Sequence, residues 1–141
     1  MTHLEKNVVA ERAMAVERHL LRVERMLPPT PGALRPASDA SDAVVLHLWQ
    51  ATQIILDLAS ALCAHLDLGA PANYGDSFRR LEKANVIDGD LANSLVRASG
   101  FRNVVAHAYD DLDMRRVYIA ATEGPRDLRR FIAATRDALA Q

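Results

Sequence analysis

Apolar residues recur along this chain at alternating three- and four-residue steps, separated by short polar breaks. That rhythm predicts a series of helices. Val9, Ala13, Val16, Leu20, Val23 and Leu27 form one seam, with Glu and Arg filling the opposite face, and predict a helix over residues 4–27. The stretch PPTPGALRP (28–36) ends it, because closely spaced prolines and a glycine cannot continue a helix. A second seam, Val45, Leu48, Thr52, Ile55, Ala59, Leu62 and Leu66, predicts a long helix starting at Ser41 as N-cap and running to residue 66. After the break DLGAPANYGD a short helix is expected over 76–84, and Asp88 then caps a fourth over 89–108. Asp113 starts a short helix through MRRVYIAAT, and Pro125 in EGPRD marks the start of a separate last helix ending near residue 139. Two long helices with matching narrow seams suggest an antiparallel pair. The expected fold is an all-α, up-and-down helical bundle forming one domain over residues 1–141, without internal repeats or low-complexity tracts.

Composition narrows the picture without changing it. Half of the residues are hydrophobic but only 5% are aromatic, and alanine and leucine dominate, which favours helices over a β-sandwich. The formal net charge of −1 excludes a generic nucleic-acid binder held by overall positive charge, so any RNA contact must come from a local patch. Cys63 is the single cysteine; it lies in an apolar run and reads as a small core residue in a reducing compartment. The charged start MTHLEKNVVAERA lacks the apolar stretch of a signal peptide. The most apolar segment, 44–68, is interrupted by Gln50, Gln53, Asp57, His65 and Asp67 and is too polar to span a bilayer. The expectation is a cytoplasmic protein with no membrane partner.

The candidate chemistry lies in FRNVVAHAYDDLD, beginning at Phe101. On a helical wheel of about 100° per residue with Arg102 at zero, Tyr109 falls at about −20°, Asn103 at about 100° and His107 at about 140°. The four polar residues share one half of the helix, with Val104, Val105 and Ala108 on the other. The face is too broad for all four side chains to converge on one atom, and on a straight helix Arg102 and His107, about 140° apart, reach one cleft only from its two sides. A second copy related by a two-fold axis would bring them together. The set suits phosphodiester cleavage in RNA. His107 takes up and releases protons near neutral pH, and Arg102 offers a fixed fork of donors to phosphate oxygens. Asn103 could orient the histidine or bond the substrate. No metal or cofactor is called for: the five histidines show no i, i+3 or i, i+4 pairing, and no Cys-x-x-Cys, His-Glu-x-x-His or phosphate-cradling glycine loop occurs. Without a wider match, a histidine and an arginine near a helix end also fit a C-terminal cap and a solvated charge.

The string R-N-x-x-x-H-x-Y, carried by Arg102, Asn103, His107 and Tyr109, resembles the signature of the HEPN superfamily, in particular the HepT family of bacterial toxin–antitoxin ribonucleases. The segments WQATQIILDLASALCAHLDLGAPANYGDSFRRLEKANVID and LANSLVRASGFRNVVAHAYDDLDMRRVY are similar to that family in helix order and spacing, so the likeness covers nearly the whole chain. The proline-rich connection at 28–36 is longer than usual and leaves the motif untouched. The resemblance implies a homodimeric, metal-independent endoribonuclease toxin of a type VII toxin–antitoxin system, with Arg102 and His107 catalytic and Asn103 supporting them. It also implies an MntA-like minimal nucleotidyltransferase antitoxin that transfers AMP from ATP to Tyr109. A phosphate-bearing group there could pair with Arg102 and occupy the space RNA needs.

Outside the motif, Asp57 could point into the cleft toward Arg102 or His107 from a second shell, or face water from the edge of its seam. Trp49 and Tyr74 could stack on bases, although Trp49 beside Leu48 reads as core. The pairs Arg79–Arg80, Arg115–Arg116 and Arg129–Arg130 read as solvated helix faces, of which at most one meets RNA. An alternative function is a non-catalytic helical adaptor that binds nucleotide or substrate for the same nucleotidyltransferase. A plain dimerisation module is a third.

Overall fold

A computed structural model of the chain describes residues 3–141; Met1 and Thr2, the first two residues of the charged N-terminal stretch, lie outside it. Five helices follow in order: α1 (Lys6–Met26), α2 (Asp39–His65), α3 (Tyr74–Lys83), α4 (Gly89–Ala108) and α5 (Met114–Leu139), with short 3₁₀ turns at Pro31–Ala33 and Tyr109–Asp111. No strand occurs among the described residues, and the all-α bundle expected from the apolar rhythm is the fold observed.

The predicted seams are the buried faces. Val9, Ala13, Val16, Leu20 and Val23 of α1 are buried, as are Val45, Leu48, Thr52, Ile55, Ala59 and Leu62 of α2. The two helices run antiparallel, since the Leu4 backbone N–H donates to His65 Nδ1 at 3.0 Å while His19 and His47 meet near the other end. Phe78 from α3 and Phe131 from α5 close the core edge-to-face, with ring centroids 5.7 Å apart. Arg129 of α5 is held by Glu17 and Glu24 of α1 at 2.8 Å each, which lifts its pKa further above the usual arginine value and depresses that of Glu24. Cys63 is buried as expected, with its thiol pKa pushed up by burial. α2 is the one helix among the described residues that matches a membrane span in length and composition, and half of that stretch is buried in the bundle.

Two boundaries differ from the sequence-based expectation. α2 begins at Asp39, and Ser38 is its N-cap; Ser41 sits at the third helical position and completes a capping box. The Ser38 hydroxyl accepts from Ser41 N, and the Ser41 hydroxyl accepts from Ser38 N, both at 3.1 Å. The expected pair of helices after Asp113 is a single 26-residue helix with Pro125 inside it. Val117, Ala121, Pro125, Leu128, Ile132 and Thr135 make one continuous buried stripe through the proline, so tertiary burial outweighs the backbone hydrogen bond that proline cannot make. Gly124 precedes it, and a residue without Cβ relieves the clash that proline imposes on its predecessor.

The turn between α2 and α3 sets the position of Tyr74 at the start of α3. Gly69 adopts φ +85°, and a Cβ there would lie 2.9 Å from Arg80 Nη1. That space lets Arg80 donate to Leu68 O at 2.7 Å and to Asp76 at 2.9 Å, tying α3 to the end of α2.

Candidate active site

The Asp88 carboxylate accepts from Leu91 N at 2.7 Å and starts α4 at the residue its sequence predicts. The first half of α4 is anchored by buried Leu91, Ala92 and Leu95, whereas Val105 is the one buried residue of the second half. The helix therefore carries its polar motif along a partly open stretch, packed on α2 and α5.

Arg102 turns toward α2. Its Nε donates to Gln53 Oε1 at 2.8 Å, and its Nη1 donates to Asn103 Oδ1 at 3.1 Å. The guanidinium carbon lies 5.4 Å from the Trp49 ring centroid and 5.8 Å from that of Tyr74, within cation–π range of both. Gln53 is itself fixed, donating through Nε2 to Asp57 Oδ1 at 3.0 Å and to the Tyr74 hydroxyl at 3.3 Å. Nη2 donates to no protein group among the described residues, which leaves one edge of the fork for a ligand.

These contacts bear on three expectations. Asn103 supports Arg102 and makes no hydrogen bond with His107. Asp57 is exposed and reaches Arg102 only through Gln53, and it has no contact with His107. Trp49 is half-buried: it packs against the core, as expected, and also flanks the arginine. Sequence reasoning missed Gln53 altogether. It stands one helical turn beyond Trp49 on α2, a spacing that puts both on one face, and that was the available signal.

His107 is exposed and has no protein hydrogen-bond partner among the described residues. It leaves α4 about 140° from Arg102, and no hydrogen bond links the two within the chain. Tyr109 departs from the helical wheel. Ala108 adopts φ −142° and ψ 41°, so the helix ends there and Tyr109 opens the 3₁₀ turn. Its hydroxyl donates to Asp42 Oδ1 at 2.7 Å, and this hydrogen bond, with burial and the charges of Asp42 and Asp110, raises the phenol pKa. Along α2, Asp42 and Gln53 are separated by roughly 16 Å of helix.

Beside the motif, α4 and α5 enclose an open groove of about 700 Å³ lined by Phe101, Val104, Arg116, Val117, Ile119 and Ala120 among others. Val104 and Ile119 are 50% and 55% exposed, large apolar side chains without cover. Of the three arginine pairs, Arg79, Arg80, Arg129 and Arg130 are engaged by carboxylates at 3.2 Å or less. Arg115–Arg116 is the pair left outward, with Arg116 86% exposed and 4.0 Å from Asp113. Among the described residues, no group of three or more His, Cys, Asp or Glu is arranged to hold a metal ion.

The described residues form a five-helix bundle with an Arg–Asn pair and a His on its fourth helix. The ribonuclease HepT-like family matches residues 16–135, and the chain belongs to that family. It is similar to an mRNA nuclease HepT of Shewanella oneidensis, 30% identical over 91 residues that span 64% of this chain and 68% of that protein. A tRNA nuclease HepT of Aphanizomenon flos-aquae is 30% identical over 69 residues, or 49% of this chain and 47% of the relative. In structure the chain is similar to the tri-AMPylated Shewanella oneidensis HEPN toxin solved in complex with its MNT antitoxin. The TM-score is 0.84 at 22% identity, covering 94% of this chain and 99% of the other. A cytosolic protein of unknown function from Bacillus subtilis has the same fold, with a TM-score of 0.80 at 16% identity over 99% of this chain and 93% of that one.

Proposed function

We propose that this chain is the ribonuclease toxin of a toxin–antitoxin pair. In this reading it cuts RNA without a metal ion at Arg102 and His107, and a MntA-like nucleotidyltransferase antitoxin silences it by transferring AMP to Tyr109. The observation that carries the proposal is the Arg102 clamp. A guanidinium held by Gln53, Asn103, Trp49 and Tyr74 with one edge unused is a preorganised phosphate binder, and an unpartnered His107 stands on the same helix. The nuclease names of the relatives and the AMPylated state of the structural neighbour support the same reading.

In the reaction, His107 takes the proton from a ribose 2′-hydroxyl or gives one to the leaving 5′-oxygen. Arg102 Nη2 meets the phosphate oxygens, whose charge grows in the transition state. Because the two side chains diverge on α4, the working unit is a homodimer in which Arg102 of one copy and His107 of the other face one phosphate. The uncovered Val104 and Ile119 and the α4–α5 groove provide apolar surface for such pairing.

The test is cleavage of a broad RNA pool in EDTA by wild type, Arg102→Ala and His107→Ala. Wild type is expected to cut, and each variant to lose activity by roughly a hundredfold or more. If none of the three cuts while mass spectrometry shows Tyr109 unmodified, the chain is the adaptor and not the nuclease.

A further inference from the structure

Tyr109 is the residue of the motif whose reacting atom already has a proton acceptor. Its Oη donates to Asp42 Oδ1 at 2.7 Å, the length of a charge-assisted O–H···O⁻ bond. The contact joins the 3₁₀ turn after α4 to the first turn of α2 across 67 residues of sequence, so it is a product of the fold and not of a local turn. Both side chains are exposed, Tyr109 by 45%, and present the phenol oxygen and the carboxylate to the surface together. The surrounding charge is acidic: Asp110 follows Tyr109, and Asp39 shares the first turn of α2 with Asp42. The Asp42 hydrogen bond first, then burial and the charges of Asp42 and Asp110, hold the proton on the phenol. A tyrosine kept neutral in this way must lose its proton during any reaction at its oxygen.

We propose that Asp42 is the general base for nucleotidyl transfer to Tyr109, an inference that rests on the reading of Tyr109 as the acceptor. In that step Tyr109 Oη attacks the α-phosphorus of ATP held by the nucleotidyltransferase partner. The new O–P bond forms as the bond from the α-phosphorus to the bridging oxygen breaks, and pyrophosphate leaves with the electron pair. The phenolic proton passes to Asp42 Oδ1. A carboxylate is a weak base toward a resting phenol, but bond formation to phosphorus drains the oxygen and makes the transfer downhill. Once modified, Tyr109 has no proton to donate, and its phosphodiester carries a negative charge in the field of Asp42 and Asp110. The product is therefore repelled from the carboxylate that made it.

The experiment follows initial rates of AMP addition by intact mass, using the full chain, its cognate nucleotidyltransferase and Mg-ATP. Wild type, Asp42→Asn, Asp42→Glu and Tyr109→Phe are compared from about pH 6 to pH 9. Asp42→Asn is expected to slow transfer by roughly 10²–10⁴-fold and to speed up about tenfold per pH unit as the phenol ionises, while wild type changes little. Asp42→Glu, which keeps the carboxylate, is expected to retain the flat profile, and Asp42→Ala takes the place of the asparagine variant if that one does not fold. Transfer to Asp42→Asn at the wild-type rate overturns the proposal; so does a slower rate with an unchanged profile, which marks a contact that only positions the tyrosine. Addition that persists in full in Tyr109→Phe instead overturns the reading of Tyr109 as acceptor.

Discussion

A single arginine shows how this fold turns a surface charge into a tool. Free arginine side chains sample many rotamers, and ordering one costs up to about 2 kcal/mol. Here that cost is met in the unliganded protein: Gln53 fixes Nε at 2.8 Å, Asn103 fixes Nη1 at 3.1 Å, and the rings of Trp49 and Tyr74 restrict the plane. In the proposed reaction the substrate then meets an oriented donor and need not order it. Gln53 acts there through Arg102 as a positioning residue, so its removal should reach the chemistry and spare the fold. Gln53→Ala is expected to lower single-turnover RNA cleavage by roughly 10- to 100-fold with little change in melting temperature. Gln53→Glu keeps an acceptor for Arg102 while losing the donors to Asp57 and Tyr74, and should recover part of the rate. Cleavage by Gln53→Ala at the wild-type rate would show that Arg102 does not need the clamp.

Among the elements, legibility followed whether a signal was local. Asp88 announces α4, and the side-chain contact that proves it lies three residues away, so the boundaries 89–108 could be read directly. Ser38 and Ser41 both suit an N-cap, and the chain alone did not reveal that they cap each other. Pro125 is a start signal by local rules, yet the buried stripe on either side of it carries one helix through. The motif residues were legible one by one, but the Arg102 clamp was not, because Gln53 and Arg102 are 49 residues apart and meet only when α4 packs on α2. The α1–α2 joint hides another such meeting. His19 Nδ1 and His47 Nδ1 are 3.0 Å apart, a contact possible only if at least one ring is neutral. Burial is the main cause that lowers both pKa values from the ordinary 6.5; the charges of His47, Arg22 and Arg18 add to it at His19, and that of Arg22 at His47. The unfolded chain therefore binds protons more readily than the folded one. Stability is full above pH 6.5 and falls as pH drops through and below it. The melting temperature should decline between about pH 7.5 and pH 5.5, and less in His47→Gln. An equal decline in that variant would place the titration elsewhere.

For the molecule as a whole, the proposed reaction makes a demand on α4 that one chain does not meet. Arg102 points to α2 and α3, His107 points away into solvent, and the helix between them is straight enough to hold them about 140° apart. Two-fold pairing resolves this, because each copy then lends an arginine to one site and a histidine to the other. Such a shared site differs from a self-contained one in a way that mixing can read. Arg102→Ala and His107→Ala are each expected to be inactive alone. If the subunits exchange at random, about half of the dimers contain one copy of each variant. In each of those, one of the two shared sites has both an intact arginine and an intact histidine, so about a quarter of wild-type cleavage should return. In a self-contained site, every copy in the mixture lacks one of the two residues, and nothing returns. The measurement is cleavage by the two variants after co-refolding, compared with each alone at the same total concentration. Dilution supplies an internal check, since activity that depends on pairing falls faster than protein concentration once the dimers dissociate. A mixture as inactive as its parts would mean that Arg102 and His107 act from the same chain and that the divergence on α4 is closed by motion of the helix.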